Sequence, residues 1–492
     1  MKPSRAFLIA ASVLALAAGL SLQRAAPTRA DAREAPTPNY RQDIRPIVAA
    51  HCVSCHQEHS GAPFPLTTYR DVEKRAAQIA QVATAKFMPP WKPDSHGELL
   101  GENRLSTREI DLLQRWAAQN TLEGPASGAA PDVSAAIPLN QDSRAGLGTP
   151  DAVLEPAETS HIPADGPDFY RCCILPTRFA EDRHLSAIVL EPGSAAVDHA
   201  LIYQDTSHQI RLMNAVAPGG AFRVQGSTTG LQPAMVIGGW GVGAHPARFP
   251  AGAGLLLSRG ADIIVETHYR PSGKPETDRP RLLLYFCKAP VTHLVRVAPV
   301  MPRVLRLPPN VTDIHVGGQS PVTSNISVLS ILPYMRRRGA AITMGVLTSE
   351  QKQSVLLSIP QWDFDWIGEY RFRQPVRILA GSMLTMEAIF NNAVPDSDRD
   401  ETVTQNGLVC WGDAPTDENA VAYIFYTTDA ESLGRRDIAG VPPAGGPAQA
   451  GMRKVILKMF DTNHDGTISP EEYRHMSGYF HGGMPSMAGM EM

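Results

Sequence analysis

From about residue 151 to residue 430 the chain is written in short apolar runs separated by turn formers. His184–Leu190, Ala200–Tyr203, Ile263–His268, Arg281–Phe286, Ile326–Leu332, Ala341–Leu347, Ser354–Ile359, Ser382–Phe390 and Val421–Tyr426 are each bounded by Pro, Gly or Asp. Runs this short suit strands better than helices, and their spacing predicts an all-β sandwich region. About 280 residues is long for one sandwich, so we read two in tandem, 151–298 and 299–432, dividing in the Pro-rich stretch at 298–312. Composition agrees: 42 Pro and 40 Gly among 492 residues are many for a helix bundle, and 43% hydrophobic residues suffice for real cores. The net charge of −4 with no long basic run gives no sign of a nucleic-acid partner.

The flanking segments have a different texture. Lys2 and Arg5 precede an apolar run, Ala6–Leu22, and Ala30-Asp31-Ala32 offers a small-x-small cleavage site. This reads as a secretory signal over 1–32. The competing reading is an uncleaved N-terminal anchor. Either way the remainder is expected outside the cytoplasm, periplasmic or extracellular. No second run reaches the roughly 20 residues of a membrane span, so none is expected in the mature chain. Residues 40–122 read as mainly helical, with apolar spacing over Arg70–Ala85 and Ser106–Asn120. Ser106 followed by Glu109 predicts a capping box. Residues 123–150 and 433–450 are Ala/Pro/Gly-rich linkers, 451–480 a short helical module, and 481–492 a Met/Gly-rich tail.

Cys52-Val53-Ser54-Cys55-His56 is a CxxCH motif. Two thiols at this spacing can form thioethers to the two vinyl groups of a haem while the adjacent imidazole ligates the iron. The expected cofactor is therefore haem c, held by Cys52, Cys55 and His56. The competing reading is a disulfide or a zinc-binding pair. For the sixth ligand the best candidate is Met88, within Phe87-Met88-Pro89-Pro90-Trp91, with His51, His59 and His96 as alternatives. A thioether ligand raises the potential, which suits an electron carrier. Asp43-Ile44-Arg45-Pro46-Ile47, the CxxCH motif, Ala62-Pro63-Phe64, Met88-Pro89-Pro90-Trp91 and Leu105-Ser106 together resemble a bacterial cytochrome c-like domain covering 40–122.

A second resemblance spans about 150–430. Val197-Asp198-His199-Ala200, Glu266-Thr267-His268-Tyr269-Arg270-Pro271-Ser272-Gly273-Lys274, and Leu332-Pro333-Tyr334-Met335-Arg336-Arg337-Arg338-Gly339 carry it. Trp362-Asp363-Phe364-Asp365-Trp366 and the stretch from Trp411-Gly412-Asp413 to Asp417-Glu418-Asn419 add to it. These segments are similar to the copper type II, ascorbate-dependent monooxygenases, the family of peptidylglycine and dopamine β-monooxygenases. The resemblance implies two jelly-roll sandwiches and two copper sites, one of three His and one of two His and a Met. Carried over residue by residue, the first site keeps His199 and His268, with Asp198 in place of a third imidazole. In the second, Tyr334, Arg336 and Asn419 stand where the family has its ligands. Arg has no lone pair to offer and is a fixed cation. We therefore expect the oxygen-binding copper to be absent and at most one residual copper at Asp198, His199 and His268. A shifted site using His208, His245, His293 or His315 is the alternative.

Of the remaining cysteines, Cys172, Cys173, Cys287 and Cys410 are compatible with disulfides in an oxidising compartment, with no pairing readable. Asp461 to Glu472 fits the EF-hand calcium loop: Asp461, Asn463 and Asp465 at positions 1, 3 and 5, the Thr467 carbonyl at 7, Ser469 at 9 and Glu472 at 12. Gly466 makes the turn and Ile468 packs inward, so calcium is the expected ion. Beyond the loop, His475, Met476, His481, Met484, Met487, Met490 and Met492 are soft-metal donors in what reads as a neutral tail. The whole reads as an exported monohaem c-type cytochrome that exchanges electrons with redox partner proteins. It would carry a catalytically degenerate monooxygenase-like β module and a calcium-binding EF-hand, with no catalytic residue assigned. The alternatives are a copper monooxygenase hydroxylating a C–H bond with haem-supplied electrons, and a calcium-stabilised binding protein.

Overall fold

The computed structural model describes residues 37–57, 62, 64–125, 146–216, 235–244, 246–393, 407–412, 417–431, 458, 460–463 and 472. The signal segment, His59, His245, Asp413, the linker at 433–450, Asp465, Thr467, Ser469 and the 481–492 tail lie outside the described residues, as does most of the first linker. Everything described from Pro38 onward belongs to one compact unit.

The first part of that unit is helical. A π-turn at Tyr40–Ile44, capped by Asn39, runs into α1 (Arg45–His51). Then come α2 (Tyr69–Glu73), α3 (Ala76–Thr84) and α4 (Thr107–Ala118). The Ser106–Glu109 capping box is present in both directions, and Thr68–Asp71 forms a second one. The expected continuous helix over Arg70–Ala85 is instead two, parted at Lys74–Arg75, where Arg75 leaves helical geometry at ψ 14° and stacks 4.0 Å above the Phe64 ring. Tyr40, Ile44, Val48, Val72, Leu113 and Trp116 form the centre of a separate helical core.

The rest is mostly β-sheet. An eight-stranded sheet runs in the order β1, β10, β4, β7, β11, β20, β14, β17. These are Ala152–Leu154, Arg281–Phe286, Arg183–Glu191, Ala253–Leu257, His293–Val300, Ala420–Thr428, Ile326–Met335 and Tyr370–Ile378 respectively. A four-stranded sheet is built from β3 (Phe169–Pro176), β8 (Asp262–Tyr269), β5 (Val197–Asp205) and β6 (Met235–Gly241). Another is built from β13 (Ile314–Pro321), β18 (Met383–Phe390), β15 (Gly339–Leu347) and β16 (Gln353–Ile359). Two short pairs, β2 (Ser160–Ile162) with β9 (Glu276–Asp278) and β12 (Arg306–Leu307) with β19 (Val409–Cys410), complete it, and α5 (Gln209–Val216) follows β5.

The division drawn at 298/299 falls inside β11. That strand pairs in parallel with β7 through His293–Val295 and antiparallel with β20 through Arg296–Val300, so one sheet continues through both halves. Strand β20 shows why. Its sequence Ala420-Val421-Ala422-Tyr423-Ile424-Phe425 is apolar at every position, where a half-buried strand would alternate. Val421, Tyr423 and Phe425 enter a core against the β3–β8–β5–β6 sheet, while Ala420, Ala422 and Ile424 enter a second core against the β13–β18–β15–β16 sheet. Strand β14 divides in the same way, with Leu332 and Tyr334 in the first core and Ile331 and Met335 in the second.

Ile424 is fully buried beside Ile331 on the neighbouring strand. Ile424→Ala should lower stability by about 2–5 kcal/mol, the transfer term plus the cavity left behind. Val304→Ala, at a position 66% exposed, should change it by no more than about 0.5 kcal/mol. Chemical denaturation of both variants checks the contrast.

Candidate functional site

The CxxCH segment follows α1 directly, with Cys52 as the helix C-cap. Cys55 N and His56 N both donate to the Cys52 carbonyl, at 3.1 and 2.9 Å, winding the motif into a tight turn. His56 Nδ1 lies 3.0 Å from the Phe64 carbonyl oxygen, which can only accept, so Nδ1 carries the proton. Nε2 is left with its lone pair. This is the tautomer lock that a metal-binding imidazole uses. Burial holds the His56 imidazole below its ordinary value, against the pull of the Phe64 carbonyl. Burial also pushes the Cys52 thiol up to about 12, with Cys55 adding to it, and raises Cys55. Neither cysteine is in a disulfide. Two cysteines outside any disulfide, in one turn with an oriented imidazole, fit a covalently attached haem.

Met88 is half-buried, its N–H donating to the Val82 carbonyl at 3.2 Å. Of the alternative ligands, His51 is engaged on both ring nitrogens, Nδ1 at 2.6 Å from Asn103 Oδ1 and Nε2 at 3.3 Å from Glu109 Oε1. The His96 side chain is 81% exposed.

A second constellation lies in the β region. His199 on β5 and His268 on β8 are paired across the two strands, and a bulge between Val197 and His199 inserts Asp198 as an extra residue. A bulge re-aims side chains. Here Asp198 joins its neighbour's imidazole, with Oδ2 at 2.8 Å from His199 Nδ1 and 3.0 Å from His268 Nδ1. Burial disfavours the Asp198 carboxylate, yet the hydrogen bonds from both histidines outweigh it and hold the group well below the usual carboxylate range. Burial drives His268 down to about 3 despite Asp198, so it is neutral. With Asp198 ionised, both Nδ1 atoms donate to it. His199 Nε2 is then buried with no hydrogen-bond partner, and His268 Nε2 stands 3.5 Å from Asp168 Oδ2.

The two rings stack at 4.8 Å and Phe364 stands edge-on to both at 5.1 Å. Tyr170 leans on His268 at 4.6 Å, and its hydroxyl meets that of Tyr334 at 3.1 Å. Among the described residues, Asp198, His199 and His268 are the one group of three His, Cys, Asp or Glu side chains close enough together to hold a metal ion. In this arrangement Asp198 serves as the acceptor that orients two imidazoles, whereas the sequence suggested it as a ligand. His208 pairs with Asp262, His315 with Glu387, and His293 with Thr292; none joins the cluster.

Above the histidines opens a polar basin of about 510 Å³ lined by Asp168, Arg270, Arg337, Gly339, Trp362, Asp363, Phe364 and Asp365. Arg270 meets Asp198 at 3.5 Å and Asp168 at 3.8 Å and pairs with Asp365, while Arg337 pairs with Asp168. Of these, Asp168 lay in no motif and carried no sequence signal. The alternating aromatic and acidic residues of Trp362–Trp366 did.

Tyr334, Arg336 and Asn419 are all buried. The Glu418 carboxylate accepts from the backbone N–H groups of Arg336, of Arg338 at 2.9 Å and of Asn419 at 2.8 Å. The Arg336 guanidinium donates to the Asp417 carbonyl at 2.7 Å and lies 5.9 Å over the Tyr170 ring. A fixed cation and an amide therefore occupy this corner. None of Cys172, Cys173, Cys287 and Cys410 is in a disulfide. At the C-terminal loop, Glu472 Oε1 accepts from Thr462 N at 2.6 Å, Thr462 Oγ1 at 2.7 Å and Asn463 N at 3.2 Å. Asp461 and Glu472, the first and last positions of the expected calcium loop, are both buried there.

No family model matches the chain, and no curated protein matches it. Among solved structures it is similar to a peptide-N(4)-(N-acetyl-β-D-glucosaminyl) asparagine amidase, at 10% identity over 57% of this chain and 98% of that one, with a TM-score of 0.26. It is also similar to PNGF-II, at 9% identity over 56% of this chain and 65% of that one, TM-score 0.25. A third likeness is to the major capsid protein P2 of bacteriophage PM2, at 7% identity over 58% and 98%, TM-score 0.21. Likenesses at this level carry neither fold nor activity to this chain.

Gly241 of β6 pairs with His199, and a Cβ placed on it would lie 1.9 Å from the Ile367 carbonyl oxygen. Gly241→Ala should therefore displace the turn behind Phe364 and cost about 1–3 kcal/mol as an overpacked contact, measured as a fall in denaturation midpoint.

Proposed function

We propose that this protein is an exported monohaem c-type cytochrome. Its helical segment, 40–122, is the cytochrome c-like domain, and its two β cores are jelly-roll sandwiches that share the eight-stranded sheet. The observation that carries the reading is the His56 Nδ1 contact to the Phe64 carbonyl. It orients the imidazole within a motif whose two cysteines lie outside any disulfide at haem-attachment spacing. Cys52 and Cys55 would hold the group covalently, His56 would ligate through Nε2, and Met88 is the candidate sixth ligand. A haem so held supplies one-electron transfer. The chain's own residues keep the ring tautomer fixed and half-bury Cys52 and Cys55, and redox partner proteins would give and take the electron.

The β module acts in this reading as a binding and docking element with at most one metal, at His199 and His268. The orphaned His199 Nε2 supports metal retention there. The corner of Tyr334, Arg336 and Asn419 argues against a second, because Arg336 would oppose any cation beside it. Function resides in sites, and this one lacks the donors that oxygen activation needs. The C-terminal module is read as an EF-hand, supported by the burial of Asp461 and Glu472 and by the hydrogen bonds that Glu472 accepts from the backbone of Thr462 and Asn463.

Expression with and without Cys55→Ala tests the haem. Wild-type protein should keep haem through denaturing electrophoresis, and the variant should lose at least half of the covalently retained stain. Equal retention in both, or none in either, contradicts the assignment. Glu472→Gln should weaken calcium binding by an order of magnitude or more, since it removes the bidentate carboxylate. Titration of chelator-treated protein measures this, and identical curves for the two proteins would remove the calcium site.

A further inference from the structure

The loop that carries Met88 is anchored on its far side in the β region. Trp91 packs edge-on to Tyr370 at 5.8 Å. Lys92 Nζ meets Asp363 Oδ2 at 2.8 Å. Asp94 N donates to the Ser358 carbonyl, Leu100 N to that of Arg371, and Arg373 N to that of Glu98, each at 2.8 Å. Leu99 is 1% exposed and belongs to the second β core. Residues 98–100 thus lie along the outer edge of β17, the last strand of the eight-stranded sheet, while Asp94 is tied to β16 of the β13–β18–β15–β16 sheet. On the near side, a Cβ at Gly243, just beyond β6, would stand 3.8 Å from Cys55 Sγ. The β region therefore comes close to the CxxCH motif at one point and grips the Met88 loop at another.

Asp363 is the shared element. Its Oδ2 takes Lys92, while its Oδ1 accepts from Asp365 N at 3.1 Å and opens the 3-10 turn Phe364–Trp366. Phe364 packs on His199 and His268, and Asp365 pairs with Arg270, which reaches Asp198. One turn therefore holds the Met88 loop on one side and the histidine pair on the other. The Lys92 and Asp363 side chains are only 16% and 28% exposed. Removing either partner leaves the other charge part-buried and uncompensated, which loosens the junction.

We propose that Lys92 and Asp363 are positioning residues for the sixth ligand of the haem: their ion pair fixes the loop that presents Met88 to the turn that packs on His199 and His268. The proposal rests on the haem reading above. It makes the firmness of axial ligation a property of the β module as well as of the helical domain. An outside ligand competes with Met88 for iron, and its apparent affinity scales with the fraction of molecules in which Met88 is off. A loosened loop therefore reads out as tighter binding of free imidazole.

The test uses the full-length oxidised holoprotein and titrates imidazole while following the weak far-red absorption of a thioether–iron bond. Lys92→Ala and Asp363→Asn should each raise imidazole affinity by roughly tenfold and weaken the band. The exchanged pair Lys92→Asp with Asp363→Lys should recover at least part of both. Asp363→Asn keeps the side-chain shape and the acceptor for Asp365 N, so it guards against simple misfolding of the turn. Met88→Ala should abolish the band outright. If Met88→Ala does so while Lys92→Ala and Asp363→Asn keep wild-type affinity, the positioning role is overturned and the ligand stands. If Met88→Ala changes nothing, the sixth-ligand assignment falls and this inference with it. A wild-type protein with no covalent haem removes the haem reading itself.

Discussion

Burial of β14 and β20 on both faces is the constraint on which the rest of the β region depends. A strand buried on one face alternates; these two cannot, because each face serves a different core. The consequence is one sheet running through both halves, with a four-stranded sheet against each face of its shared part. Residues from the two halves then meet in fixed register. Tyr334, at the end of β14, can touch Tyr170 of β3 because the first core lies between them.

On that frame, two local departures build the chemistry. The bulge at Asp198 turns an acidic side chain toward two imidazoles that the strand pairing has already placed side by side. The turn at 363–368 closes over them with Phe364, reaches Lys92 through Asp363, and passes its Ile367 carbonyl against Gly241. Neither feature is a ligand shell by itself. Together they convert strand geometry into a buried, hydrogen-bonded cluster beneath a charged basin, joined to the loop of the candidate haem ligand.

Much of this was legible in sequence where the signal is local. Arg281–Phe286 was expected as a strand and is β10; Ser106 and Glu109 were expected to cap a helix and do. Strand β6 escaped because Gly238, Gly239 and Gly241 read as turn formers. At Gly239 and Gly241 neighbours crowd the strand: a Cβ at Gly239 would lie 2.9 Å from Leu332 and one at Gly241 would strike Ile367. The continuity of the large sheet escaped because the β7–β11 pairing is parallel and non-local. His199 and His268 were identified from their motifs, yet the part played by Asp198 depends on a one-residue bulge, and Asp168 reaches the site only through tertiary packing. The break at Arg75 likewise answers to Phe64, not to helix propensity.

The central claim is a haem-bearing electron carrier whose β module has at most one metal left. Iron and copper per chain, measured on the purified mature protein together with its covalent haem, test it most directly. The account predicts one iron, all of it as covalent haem, and no more than one copper. Two coppers per chain with ascorbate-dependent oxygen consumption, or iron absent altogether, would contradict it.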